Sequence, residues 1–164
     1  MNSKLLYTTD ANTPSGFRAA TLDEIMAGAR HALSLRIRRG TVFDSPKATA
    51  DYLTARLAER EHEVFTLIYL DNRNRLIACH DLFRGTIDGA SVHPREVVKE
   101  ALRHNAAAVI LGHNHPSGIA EPSHADELIT TRLREALALV DIRVLDHLIV
   151  AGGTTLSFTE YGLL

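Results

Sequence analysis

Ala106-Ala-Ala-Val-Ile-Leu-Gly-His-Asn-His-Pro-Ser-Gly-Ile-Ala-Glu-Pro-Ser-His-Ala-Asp126 holds a strand, a turn and a helix start in one short run. Ala106 to Leu111 is apolar and too short for a stable helix, which predicts a buried strand. Pro116 and Gly118 then turn the chain sharply. Ser123 is a favourable N-cap, and Ile129, Leu133, Ala136, Leu137 and Val140 follow at helical spacing. A buried strand feeding a helix through a short loop is a building unit of layered α/β structure.

The same alternation extends on both sides. Upstream, Thr21-Leu-Asp-Glu24 has the form of a capping box, with Leu22, Ile25, Met26, Ala29 and Leu33 behind it and an end near Gly40. Ser45-Pro46 opens a second helix that should run to about Arg60. Glu63 to Leu70 reads as a buried strand, Asp71 to Asn74 as a turn, and Arg75 to Phe83 as the antiparallel return. A further strand is expected between Gly85 and Val92. Pro94 then opens a helix with Val97, Val98, Ala101 and Leu102 on one face. Downstream, Arg143 to Ala151 and Thr154 to Phe158 read as strands. The layout is a mixed sheet with helices packed on it, in the α/β (α+β) class. Residues 1–20 show no period and read as a loose arm. The division expected is an N-terminal arm and helix over 1–44 and one domain over 45–164.

Composition narrows the function classes. A chain of 164 residues suits one domain with a sizeable core, and 45% hydrophobic content excludes disorder. Aromatics make up 5% and Trp is absent, so aliphatic residues must fill the core. A net charge of −2 argues against a large nucleic-acid footprint. The single cysteine, Cys79, forbids an internal disulfide and suits a reducing compartment. No signal-peptide core or membrane-length apolar run is present, which implies a cytoplasmic protein.

Two histidines at i and i+2 on extended chain, His113 and His115, project to the same side and can reach one ion. Asp126, at the third position of the following helix, points back toward the loop that carries them. Two imidazoles, one carboxylate and one open position make a catalytic type of zinc site, since structural zinc sites are closed by four protein ligands. The pair alone is weak among nine histidines, and Asp126 would also serve simply as a helix cap. The turn chemistry and the placed carboxylate favour the metal.

His-x-His, seven residues, Ser, two residues, Asp resembles the zinc signature of the JAB/MPN (JAMM) metalloproteases. The run His113 to Gly118, HNHPSG, is closer still to RadC-like proteins of that superfamily. Phe83 to Ile87, Pro94 to Val97, Asn105 to Ala107, Asp146 to Ile149 and Ser157 to Gly162 are also similar to it. The resemblance covers residues 45–164 and implies a cytidine-deaminase-like three-layer fold. It implies one Zn2+ held by His113, His115 and Asp126, and a metalloprotease or isopeptidase acting on a peptide or protein. Glu63, just before the hydrophobic strand, takes the place of the general base, with Glu61 as its neighbouring rival. Ser123 takes that of the oxyanion donor. The alternative it carries is a DNA-repair factor or metal-dependent nuclease. Longer RadC-like proteins carry a helix-hairpin-helix region whose signature is missing from residues 1–44, so this chain resembles the short type.

Other residues have blander readings. Asp146 and His147 alternate on a strand, which predicts one inward hydrogen-bonded group and one surface group, with His147 left open as a group supporting the metal ligands. His124 reads as an exposed first-turn residue, Cys79 as a small buried hydrophobe, and Ser117 as part of the loop entrance. Arg36, Arg38 and Arg39 complement a helix C-terminus, and Arg95, Lys99 and Arg103 form a solvated face. His31, His62, His93 and His104 have no evident partner.

Overall fold

The computed structural model describes residues 6–36, 39–43, 45–85 and 91–164, with the side chains of 30, 31 and 33–36 outside the description. The chain divides into two compact units, Met1–Arg36 and Ile37–Leu164. In the first, β1 (Tyr7–Thr9) and β2 (Phe17–Ala19) pair antiparallel ahead of α1 (Leu22–Arg36). This corrects the expectation of a loose arm: three-residue strands are too short to display alternation. The turn between them is closed by Asp10, whose carboxylate accepts from the Asn12 amide at 2.9 Å and whose own amide donates to Gly16 at 2.9 Å. The capping box forms as expected, with Glu24 accepting from the Thr21 amide and Thr21 Oγ1 from the Glu24 amide.

The second unit holds α2 (Pro46–Leu57), β3 (Val64–Leu70), β4 (Leu76–Arg84), α3 (Pro94–Arg103), β5 (Ala108–Asn114), α4 (His124–Ala138), β6 (Arg143–Ala151) and β7 (Thr154–Ser157). The five strands form one sheet in the order β4-β3-β5-β6-β7. Its pairings are antiparallel except for the parallel β5–β6 pair, which α4 connects. Ser45 caps α2 through the Ala48 amide, and the helix ends at Leu57, before the expected Arg60. The expected strand between Gly85 and Val92 falls largely on residues 86–90, outside the described residues. So do Arg38 of the basic cluster and the side chains of His31, Leu33 and Arg36.

Alternation on β3 sorts the core into two layers. Val64, Ile68 and Leu70 pack with Leu53 and Leu57 of α2, together with Ile110, Leu148 and Val150. Phe65, Leu67 and Tyr69 pack on the other face with Val97 and Ala101 of α3 and Leu133 and Leu137 of α4. The result is a helix–sheet–helix sandwich, as expected of a mixed α/β class with flanking helices. Leu102, read as part of the inward face of α3, is instead 54% exposed, because Val97 and Ala101 already define the stripe that meets the sheet. Among the described residues no helix is long and apolar enough to cross a membrane.

Candidate metal centre

β5 runs further than its apolar run suggested. It continues through Gly112 and His113 to Asn114, flanked by β3 on one side and β6 on the other. Strand alternation therefore acts on the histidine motif itself. His113 points to the α4 face, where its ring lies parallel to Phe65 at 6.0 Å and is fully buried. His115 extends the same direction of travel, its amide donating to Val150 O at 2.8 Å. Gly118 donates to His115 O at 3.1 Å, closing a reverse turn, and sits at φ +79°, a conformation that favours glycine. The turn brings Ile119 O to 2.8 Å from His115 Nδ1.

α4 returns the carboxylate. Asp126 Oδ1 lies 3.3 Å from His113 Nε2, and Asp126 Oδ2 lies 3.5 Å from His115 Nε2. The two Nε2 atoms are 2.9 Å apart. The capping and metal readings of Asp126 coincide in one side chain. Oδ2 accepts from Ser123 N at 2.8 Å and Ser123 Oγ at 2.6 Å, so the helix cap itself aims the carboxylate.

Hydrogen bonding fixes the tautomers. A carbonyl only accepts, so His115 Nδ1 carries its proton toward Ile119 and Nε2 is the nitrogen that faces Asp126. Thr130 Oγ1 donates to Asp126 O at 2.5 Å, so its oxygen accepts from His147 Nδ1 at 2.6 Å. His147 Nε2 then accepts from His113 Nδ1 at 2.8 Å. His113 Nε2 is left unprotonated. Burial pushes the His113 imidazole down to about 4 and that of His147 well below its ordinary range, so both rings are neutral at neutral pH. Burial would raise Asp126, but the hydrogen bond with His115 and the Ser123 donors hold it well below the usual carboxylate range. The Nε2 atoms of His113 and His115 and the Asp126 carboxylate thus converge on one point. The ligand atoms all lie within 4.8 Å of one another, and this donor set fits a divalent cation.

Two positions behave differently from their sequence reading. Asp146 and His147 are both buried, at 7% and 0% exposure, so neither is a surface group. β6 is an interior strand covered by helices on both faces, and alternation there exchanges one core for another. Asp146 accepts from Ser157 Oγ at 2.6 Å and from Thr159 N at 3.0 Å, pinning the chain after β7. Asn114, assigned nothing in the sequence, points away from the metal cluster. Its Oδ1 accepts from Val64 N at 2.8 Å, and its Nδ2 donates to His62 O at 3.0 Å and Arg60 O at 3.3 Å. A polar residue between two candidate ligands on a buried strand must itself be buried and partnered, which is the signal that was available.

That clamp holds the segment bearing Glu63. Glu63 is half-buried, its carbonyl accepts from Gly85 N at 2.8 Å, and its charge helps raise the His115 imidazole, after the larger effect of the Asp126 hydrogen bond. Glu61 is exposed. Ser123 is exposed and its hydroxyl proton is directed at Asp126. His124 is exposed, as read. Ser117 Oγ accepts from Ile119 N at 3.4 Å within the turn.

The model of the RadC-like JAB domain matches residues 43–163. The chain belongs to the RadC-like JAB domain family. A UPF0758 protein of Nitrosococcus oceani is 66% identical over 137 residues, covering 84% of this chain and 61% of that protein. A UPF0758 protein of Thioalkalivibrio sulfidiphilus is 54% identical over all 164 residues, which is 73% of its length. One from Methylibium petroleiphilum is 56% identical over 90% of this chain and 66% of its own. The chain thus spans from three fifths to three quarters of these relatives. A RadC-like JAB domain with two imidazoles and a carboxylate converging at a strand end is compatible with hydrolase chemistry.

Proposed function

We propose that this RadC-like JAB domain is a zinc-dependent metallohydrolase of the JAMM type, cutting amide or isopeptide bonds in a peptide or protein. The carrying observation is the pair of Nε2 atoms 2.9 Å apart, facing the Asp126 carboxylate. Three protein ligands leave a fourth tetrahedral position for water. Zinc bound there would supply an activated water and polarise the scissile carbonyl. Glu63, held near His115 by the Asn114 clamp, is placed to accept a proton from an attacking water and would return it to the leaving amine. Ser123 turns its hydroxyl from Asp126 toward the developing oxyanion. His147 and Thr130 keep His113 in the tautomer that exposes Nε2.

The test is metal content followed by a substrate screen. Purified protein should hold zinc that is lost in His113→Ala and Asp126→Ala. Peptide and isopeptide libraries should be cleaved by the wild type and not by Glu63→Gln with zinc retained. Cleavage of labelled DNA with the same Glu63 dependence, and none of peptides, would replace this reading with a nuclease.

A further inference from the structure

A second convergence of ligand atoms lies away from the centre described above. His80 stands on β4, while Glu100 and His104 lie four residues apart at the end of α3 and so share one face of the helix. His80 Nδ1 is 3.3 Å from His104 Nε2, and His104 Nε2 is 3.7 Å from Glu100 Oε2. Two nitrogens bound to one tetrahedral zinc at ordinary bond lengths sit about 3.3 Å apart, so the imidazoles are already at ligand spacing. The three ligand atoms lie within 4.8 Å of one another. Tyr69, whose ring packs against both imidazoles, is four residues from Phe65, the residue stacked on His113. Along one strand that separation is about 13 Å, so the two clusters are distinct.

We propose that His80, Glu100 and His104 form a second divalent-cation site of zinc-like preference, which clips the edge strand β4 to the C-terminal end of α3. Three further observations agree. His104 is the C-cap of α3, where the helix dipole favours positive charge. All three residues are partly buried, which shields a bound ion from competing water. The Tyr69 hydroxyl, in a fully buried side chain and within the field of Glu100, has no hydrogen-bond partner among the described residues. Buried hydroxyls are almost always partnered, and a water carried on the ion's fourth position would supply what this one lacks. Two imidazoles and one carboxylate select a borderline cation over calcium or magnesium, which prefer all-oxygen ligands. β4 is an outer strand of the sheet, bonded on its other side at Leu76 to Gly40 and Thr41, and such a strand gains from a tether.

The competing account is a proton shared between the two rings, which requires no metal. Chelator-stripped full chain is titrated with Zn2+ against a chromophoric chelator. Two equivalents are expected in the wild type, and one each in His104→Gln and His113→Gln. Glu100→Gln, a milder change at a half-exposed position, should weaken the second equivalent at least tenfold, with far-UV circular dichroism checking the fold of every variant. Zn2+ should also raise the melting temperature of His113→Gln, and adding His104→Gln should abolish that rise. A wild type that takes one equivalent, lost in His113→Gln and kept in His104→Gln, overturns the second site. One equivalent lost only in His104→Gln would uphold it and instead sink the catalytic reading of the first.

Discussion

His147 Nε2 stands 2.8 Å from His113 Nδ1, and this contact determines which nitrogen of His113 faces the carboxylate of Asp126. The pairing arises from the parallel β5–β6 register, which sets His113 beside Ile149 and leaves His147 two residues back on the same face. Thr130 completes the chain from α4, so one helix supplies both the carboxylate and the group that orients its partner histidine.

Removing that orientation should weaken the metal without removing a ligand. His147→Ala is expected to lower zinc affinity about 10–100-fold, the usual effect of losing an outer hydrogen-bond partner of a ligating histidine. Thr130→Val should act in the same direction and less strongly. Chelator competition measures both, and an unchanged affinity in His147→Ala would show that burial alone orients His113.

The local parts of this centre were legible in the sequence, and the distant parts were not. Pro116, Gly118 and Ser123 are turn and cap signals acting over a few residues, so the return of Asp126 to the histidines could be anticipated. His147 is set by strand register across a crossover helix, which no local pattern encodes. The His80–Glu100–His104 cluster joins an edge strand to a helix end and has no short-range signature either. Placing Asp146 and His147 on opposite faces was sound, but alternation could not tell that both faces of β6 are core. The pairing of Tyr7–Thr9 with Phe17–Ala19 was invisible for another reason, since three residues cannot establish a period.

Asn114 offers a separate test of how the candidate base is held. Its side chain satisfies the amide of Val64 and the carbonyls of His62 and Arg60 from a buried position. Asn114→Leu keeps the volume and leaves those groups without partners, which should cost about 2–3 kcal/mol. Hydrogen exchange should show protection lost over residues 60–64 more than elsewhere. Uniform exchange with unchanged stability would mean that the segment is held by the β3 ladder alone.

In the first unit, Arg18 grips Glu24 through two contacts of 2.8 and 2.6 Å, with the Thr21 amide as a third donor. The Arg18 hydrogen bond, then that of Thr21, lowers the Glu24 carboxyl to about 2. A depressed acid stabilises the fold above its unfolded value and loses that effect as pH falls through the folded one. The start of α1 should therefore hold at pH 4.5 and fray toward pH 2. Carboxyl NMR titration reads the midpoint directly, and a value near 4.5 would deny the grip in solution.

Gly112 sits beside His113 and faces α2, where an added methyl would lie 2.7 Å from Leu53 Cδ1. Leu53 is fully buried against Ile110, Leu148 and Val150, so it cannot swing aside freely. Gly112→Ala should therefore destabilise by about 1–3 kcal/mol through overpacking. Leu53→Ala alone should cost about 2–5 kcal/mol by opening a cavity in the same place. Because one change fills what the other empties, the double variant should be more stable than the sum predicts, with a coupling of about 1 kcal/mol or more. Denaturant unfolding of the four proteins measures that coupling. Simple additivity would show that β5 shifts to admit the methyl, and the same shift would then be visible as weakened zinc binding at His113.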